Sequence, residues 1–235
     1  MYTIRHRVAA SDVGADRQMK IGTMGLLMQD CSTFQFESDK AFASYLQEHR
    51  LGVFMASRQL DILRRPGYGE EIVISTWVHG CKGFYGLRNT VIRDAAGQLC
   101  VACFCVGAFV KRETGRPCVV PESAYAGMIR HAPLEMEYLP RKIVLPAELR
   151  FGELKRDCVE PGYLDANGHL NAGRSLDMAA ACIEFPVRRV RVEYKAQGLP
   201  GAVLSVQRAD ASPSHAWVRL CGAAGEVLSV CEFIG

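Results

Sequence analysis

Hydrophobic positions along the chain follow two periods, and both periods recur. Between Ile21 and Phe34 the apolar residues Met24, Leu27, Met28 and Cys31 fall at helical spacing and predict a helix. Strand-like runs follow: Phe54 to Leu63, Glu71 to Val78, Tyr85 to Arg93 and Leu99 to Val110. They are punctuated by Pro66-Gly-Tyr-Gly-Glu70 and by the turn Asp94-Ala-Ala-Gly-Gln98. In the second half, Leu176, Ala179, Ala180 and Ile183 place a helix over residues 171–183. Strand-like runs then cover 187–194, 202–207, 216–221 and 227–234, with turns at Gly198-Leu-Pro-Gly201 and Gly222-Ala-Ala-Gly-Glu226.

The two halves share one grammar. Ala-Ala-Gly-Gln at 95–98 answers Ala-Ala-Gly-Glu at 223–226, an offset of 128 residues, and the Pro/Gly turns repeat at an offset near 132. Both helices are apolar over much of their circumference, which suits a helix wrapped by a curved sheet. Residues 121–149 hold Pro121, Pro133, Pro140 and Pro146 and little periodicity. The expected fold is α+β: two tandem hotdog domains, each a helix followed by a four-stranded antiparallel meander. The expected boundaries are 1–128 for the first domain, 129–147 for a linker and 148–235 for the second.

A content of 49% hydrophobic and 23% charged residues in 235 is ordinary globular usage. The longest apolar run, Val101 to Val110, is too short for a membrane helix, which needs ~20 residues. The start, Met-Tyr-Thr-Ile-Arg-His-Arg, has no apolar signal core, so a cytoplasmic location is expected. The ten cysteines sit mostly in apolar runs and read as reduced core thiols. Cys100-x-x-Cys103 lacks a second ligand pair, and no metal is expected. A net charge of +3 points away from nucleic acid as the main partner. Arg188, Arg189, Arg191 and Lys195 cluster, either as a solvated strand face or as a docking patch for an acidic partner. Strand alternation turns Arg188 away from Arg189 and Arg191.

The segment Tyr163-Leu-Asp-Ala-Asn-Gly-His-Leu-Asn-Ala-Gly173 lies just ahead of the second helix. If extended, it points Asp165, Asn167, His169 and Asn171 to one side, with turns bringing them closer. Two readings stand side by side. Asp, Asn and Gly before a helix serve as caps and turn residues. A carboxylate, an amide and an imidazole together also make a hydrolytic cluster, with Asp165 activating or supplying a nucleophile, His169 moving protons and Asn167 orienting a carbonyl or water.

Asp-x-Asn-x-His-x-Asn before the second helix resembles the signature of acyl–acyl carrier protein thioesterases. Ser57-Arg58, Arg65-Pro-Gly-Tyr-Gly-Glu70, Ser75-Thr-Trp77, Lys111-Arg-Glu-Thr-Gly-Arg116 and Val120-Pro-Glu122 resemble the same family in the same order. The resemblance runs from about residue 3 to residue 234. It implies two fused hotdog domains, an acyl pocket in the first and catalytic residues Asp165, Asn167 and His169 in the second. It implies no cofactor, and a fatty acyl phosphopantetheine thioester on an acidic acyl carrier protein as substrate in fatty acid biosynthesis. Plant members read Glu-Tyr-Arg-Arg-Glu-Cys on the strand after the helix. This chain reads Glu193-Tyr-Lys-Ala-Gln-Gly198, which puts Gln197 and Gly198 at the Glu-Cys pair. An amide cannot take a proton from water at neutral pH, so the burden falls on Asp165, with Asn171 and Gln197 in support.

Met24, Leu27 and Met28 are candidates to line the acyl channel, against simple core packing. Arg188, Arg189 and Arg191 are candidates for carrier docking. His79, His131 and His215 read as surface or loop residues, and Trp77 and Trp217 as packing residues. Rival functions are an acyl-CoA thioesterase, a dehydratase-like double hotdog and a non-catalytic acyl-carrier binder. One chain already supplies the pairing that single hotdogs gain by dimerising, so both monomer and homodimer are open.

Overall fold

The computed structural model describes residues 1–129 and 131–235. Its strands are β1 (Tyr2–Arg7), β2 (Leu51–Ile62), β3 (Glu71–Lys82), β4 (Tyr85–Asp94), β5 (Leu99–Lys111), β6 (Gly152–Cys158), β7 (Arg189–Tyr194), β8 (Val203–Ser212), β9 (His215–Gly222) and β10 (Val227–Ile234). Its α-helices are α1 (Ile21–Ser38), α2 (Lys40–Glu48), α3 (Glu122–Tyr125) and α4 (Ala172–Ala180). All ten strands join in one antiparallel sheet in the order β1-β3-β4-β5-β2-β7-β10-β9-β8-β6. Taken from the opposite edge, the second five strands repeat the order of the first five, so the chain is two hotdog units fused edge to edge. No helix among the described residues is long and apolar enough to cross a membrane.

The meander differs from expectation in one connection. The strand after each helix, β2 or β7, skips its sequence neighbour and pairs with the last strand of its unit, β5 or β10. The helix crosses the sheet face and delivers the strand to the far side. β2 and β7 thereby meet, in a register from Ser57↔Glu193 to Asp61↔Arg189. Each unit also has a leading strand, β1 or β6, that hydrophobic periodicity does not mark. Both are sheet edges, and β6 (Gly-Glu-Leu-Lys-Arg-Asp-Cys) is almost wholly exposed. Charged edges of this kind discourage pairing with other chains.

The inner sheet face buries Leu60, Ile74, Ile92, Val190, Val206 and Phe233 against Met24, Met28 and Leu176 of the helices, so one apolar cluster spans both units. Helix α1 outruns its expected end at Phe34 and passes through Asp39, whose carboxylate accepts the Phe42 N–H at 3.1 Å, into α2. The helices α1 and α4 pack closely: a Cβ on Gly173 would lie 2.7 Å from Leu26, and one on Gly25 3.3 Å from Leu176.

The segment between the units crosses the outer sheet face as a strap. Trp77 Nε1 donates to Ala132 O, Leu134 N–H to Asn89 Oδ1, and Leu139 N–H to Gln59 Oε1. The Ile143 N–H reaches Glu193 Oε2 at 3.1 Å, and the Ile143 side chain is buried against Trp217 and Val230. These anchors follow the order of strands in the sheet, from the first unit into the second.

Candidate active site

Ahead of α4 the chain folds into a miniature hairpin rather than an extended run. Leu164 bridges Leu170, Asp165 N–H donates to His169 O at 2.8 Å, and Gly168 N–H donates to Asp165 O at 3.0 Å. Gly168 takes φ 77°, a left-handed value that glycine adopts without strain. The hairpin sets Asp165 opposite His169. Asp165 Oδ1 accepts the N–H groups of Asn167 (2.8 Å) and His169 (3.2 Å).

The same turn occurs in the first unit with different side chains. Val13 bridges Met19, Gly14 N–H donates to Gln18 O, and Arg17 N–H donates to Gly14 O. Met19 N–H donates to Pro66 O as Leu170 N–H does to Gly198 O, and Lys20 N–H to Asp12 O as Asn171 N–H does to Tyr163 O. Gly14 therefore stands where Asp165 does, and Gln18 where His169 does. The backbone makes this turn without a carboxylate at the first position or an imidazole at the fifth. Folding of the turn does not require the imidazole, whereas Asp165 ties its own turn through Oδ1.

His169 is half-buried. Its Nδ1 is buried with no hydrogen-bond partner among the described residues, and its ring lies 6.1 Å from that of Phe54 on β2. Asn167 is exposed, and its Oδ1 accepts from Arg112 Nη1 at 3.4 Å. Arg112 in turn holds Leu51 O through its Nε at 3.0 Å. The hairpin of the second unit is thus met by Phe54 and Arg112 of the first. Neither stands out from the sequence as a site residue, although Arg112 lies in the Lys111–Arg116 motif. Beside Arg112 opens a cleft of ≈ 490 Å³ lined by Phe36, Ala43, Leu46, Gln47, Arg50 and Glu113.

Asn171 is the N-cap of α4, its Oδ1 accepting the Gly173 N–H at 2.8 Å. Gln197 is exposed in the loop after β7, next to Gly198, whose carbonyl holds Leu170. At Gly198 a Cβ would come within 2.9 Å of Leu170 Cβ, so a cysteine there has no room without movement. Glu193 lies on the outer face, 4% exposed, and is taken up by the strap.

The other candidates lie apart from the hairpin. Met24 and Met28 are fully buried beneath α1 in the shared core, and Leu27 packs against it half-buried. Arg189 donates to Asp61 at 2.6 Å and Glu137 at 2.7 Å, and Arg191 to Glu232 at 2.6 Å and Pro140 O at 2.7 Å. Both guanidiniums are engaged beneath the strap, while Arg188 is exposed. Arg191, Arg189 and Arg188 stand opposite Gln59, Asp61 and Ile62 of β2, roughly 16–26 Å along the strand from Phe54. His215 and His79 depart from a surface reading. His215 Nε2 meets Glu232 Oε1 at 3.0 Å, and His79 has a buried Nε2, burial holding its pKa below the usual imidazole range.

Comparison with known proteins adds an independent line. Residues 1–128 match the family described as acyl-ACP thioesterase N-terminal domain. No curated protein sequence matches the chain. An acyl-ACP thioesterase from Bacteroides thetaiotaomicron superimposes with a TM-score of 0.87 at 20% identity, over 99% of this chain and 96% of that one. A 12:0-ACP thioesterase from Umbellularia californica does so with 0.84 at 14% identity, over 99% and 96%.

Proposed function

Since the chain belongs to the acyl-ACP thioesterase family, we propose that it hydrolyses fatty acyl thioesters of acyl carrier protein, releasing the free acid and the holo-carrier for fatty acid biosynthesis. The observation that carries this reading is the pair of matched hairpins. One fold element is built twice, and only the second copy carries Asp165 and His169. The division of labour is that of the two units: residues 1–128 hold the acyl chain beneath α1, residues 148–235 supply the reacting groups, and 129–147 join them.

In this mechanism water attacks the thioester carbonyl carbon and Asp165 takes its proton. Asn167, steadied by Arg112, holds the carbonyl oxygen. The tetrahedral intermediate expels the pantetheine thiolate, and the proton passes to it through His169. Gln197, at the position of the plant glutamate, supports the water by hydrogen bonds but takes no proton. Carrier docking is supported at Arg112, which reaches Asn167 and lines the adjoining cleft beside Arg50, itself paired with Glu113.

The test is thiol release from matched acyl-carrier and acyl-CoA thioesters by the native protein and by Asp165→Asn. The amide oxygen of the variant can keep the turn, so its melting temperature should stay close to native. Its turnover should fall by about 10²-fold or more. A fully active variant would remove Asp165 from the mechanism. Equal turnover of CoA thioesters would replace the carrier-specific reading, and an enoyl absorbance change without thiol release would replace hydrolysis with dehydration.

A further inference from the structure

Beneath α1, in the layer assigned above to the acyl chain, lie two guanidiniums. Arg88 on β4 stands directly opposite Cys105 on β5, and Cys105 directly opposite Arg58 on β2, so the three form one row across the inner face. Arg58 is only 2% exposed and packs against Gly25 of α1, and its Nε and Nη1 are buried without partners. Arg88 donates through Nη1 to Gln35 and to Thr76 Oγ1 and stacks on Phe36, while its Nη2 is buried without a partner.

No Asp or Glu among the described residues forms an ion pair with either guanidinium. The one anion available is Cys105. A hydrogen bond with the Cys103 thiol, then the Arg58 and Arg88 charges, outweigh burial and pull its thiol down to about 6. Arg58 also meets the Cys105 thiol, yet Arg58 Nε and Nη1 and Arg88 Nη2 are buried with no oxygen acceptor among the described residues. Such groups are costly to bury unless something accepts from them, and a plain alkyl chain cannot.

We propose that the Arg58–Cys105–Arg88 row recognises an oxygen substituent on the acyl chain, so that the favoured substrates are hydroxy-, oxo- or carboxy-acyl thioesters rather than unsubstituted ones. This rests on the thioesterase reading and names its substrate class. The substituent accepts from Arg58 Nε and Nη1 and from Arg88 Nη2, a carboxylate doing so most strongly. Arg58 lies roughly 10–13 Å along β2 from Phe54, the residue beside His169, and the bulge between Met55 and Ser57 turns the two side chains to opposite faces of the sheet. Met24 and Met28 line this layer, and their flexible thioethers can move aside for a chain. A site built to bond oxygen rejects the analogue lacking it, because its own donors are then left unpaired.

The experiment compares carrier-bound octanoyl, decanoyl and dodecanoyl thioesters with their ω-hydroxy and ω-carboxy counterparts by thiol release. The native protein should favour an oxygenated chain in kcat/KM by about tenfold or more, and Arg58→Met should abolish or reverse that ratio. Plain chains cleaved as well as oxygenated ones overturn the proposal. Because replacing a buried arginine can prevent folding, a second measurement uses the native protein alone. Free ω-hydroxy and dicarboxylic acids should raise its melting temperature, and the plain acids of equal length should not. Equal shifts, or none, overturn the proposal. Selective stabilisation without release from any thioester would retain the row's role and overturn the thioesterase reading instead.

Discussion

Gly198 shows how a single side chain can be excluded by backbone. Its carbonyl holds the Leu170 N–H at 2.8 Å, and the closeness that this bond requires would leave only 2.9 Å between a Cβ at Gly198 and Leu170 Cβ. Gly198→Cys, which would restore the cysteine of plant relatives, should therefore cost about 1–3 kcal/mol of stability by overpacking. It should add no activity, since Leu170 must shift and carries His169 with it. Denaturant midpoints and thiol release would check both. The sequence marks the substitution plainly, because Gln197-Gly198 stands out against the plant pattern. It does not show that Leu170 occupies the space, since the contact joins segments 28 residues apart.

A helix terminus and a catalytic cluster draw on the same residue types, and the two are separable only by geometry. In the segment ahead of α4, Asn171 caps the helix and Asp165 Oδ1 ties the turn. Asn171→Ala should cost about 1 kcal/mol through the lost cap, with Asn171→Ser recovering most of it. Thiol release should persist in both variants. Loss of activity at unchanged melting temperature would instead make Asn171 a reacting group. The helix is legible in the sequence as spaced apolar residues. Its start is not, because Asp165, Asn167 and Asn171 all have the chemistry of a cap.

The two units share too much to unfold separately. They have in common the β2–β7 pairing, an apolar cluster containing Met24 of one and Val206 of the other, and a strap bonded to both. Each unit carries one of the two tryptophans, Trp77 on β3 and Trp217 on β9. Trp77→Phe should thus leave a single tryptophan in the second unit, and Trp217→Phe a single one in the first. Their denaturation curves, each read against a far-ultraviolet circular dichroism trace, should superimpose as one transition. A fluorescence midpoint that departs from the backbone signal would show that the units unfold independently.

The sequence by itself determined the duplication, the α+β class, most strand and helix positions, and the Asp165–His169 cluster. These are local matters of period, turn residues and spacing, and a chain carries them before it folds. Only the tertiary structure decided that β2 meets β7, that the proline-rich segment straps the outer face, and that Phe54 and Arg112 face the second unit's hairpin. It also decided that Arg189 and Arg191 are spent on Asp61, Glu137 and Glu232, while Arg58 and Arg88 are buried without carboxylates. Charge and polarity can be read along a sequence. Which charges find partners depends on contacts between distant segments, and those exist only once the sheet has closed over its helices.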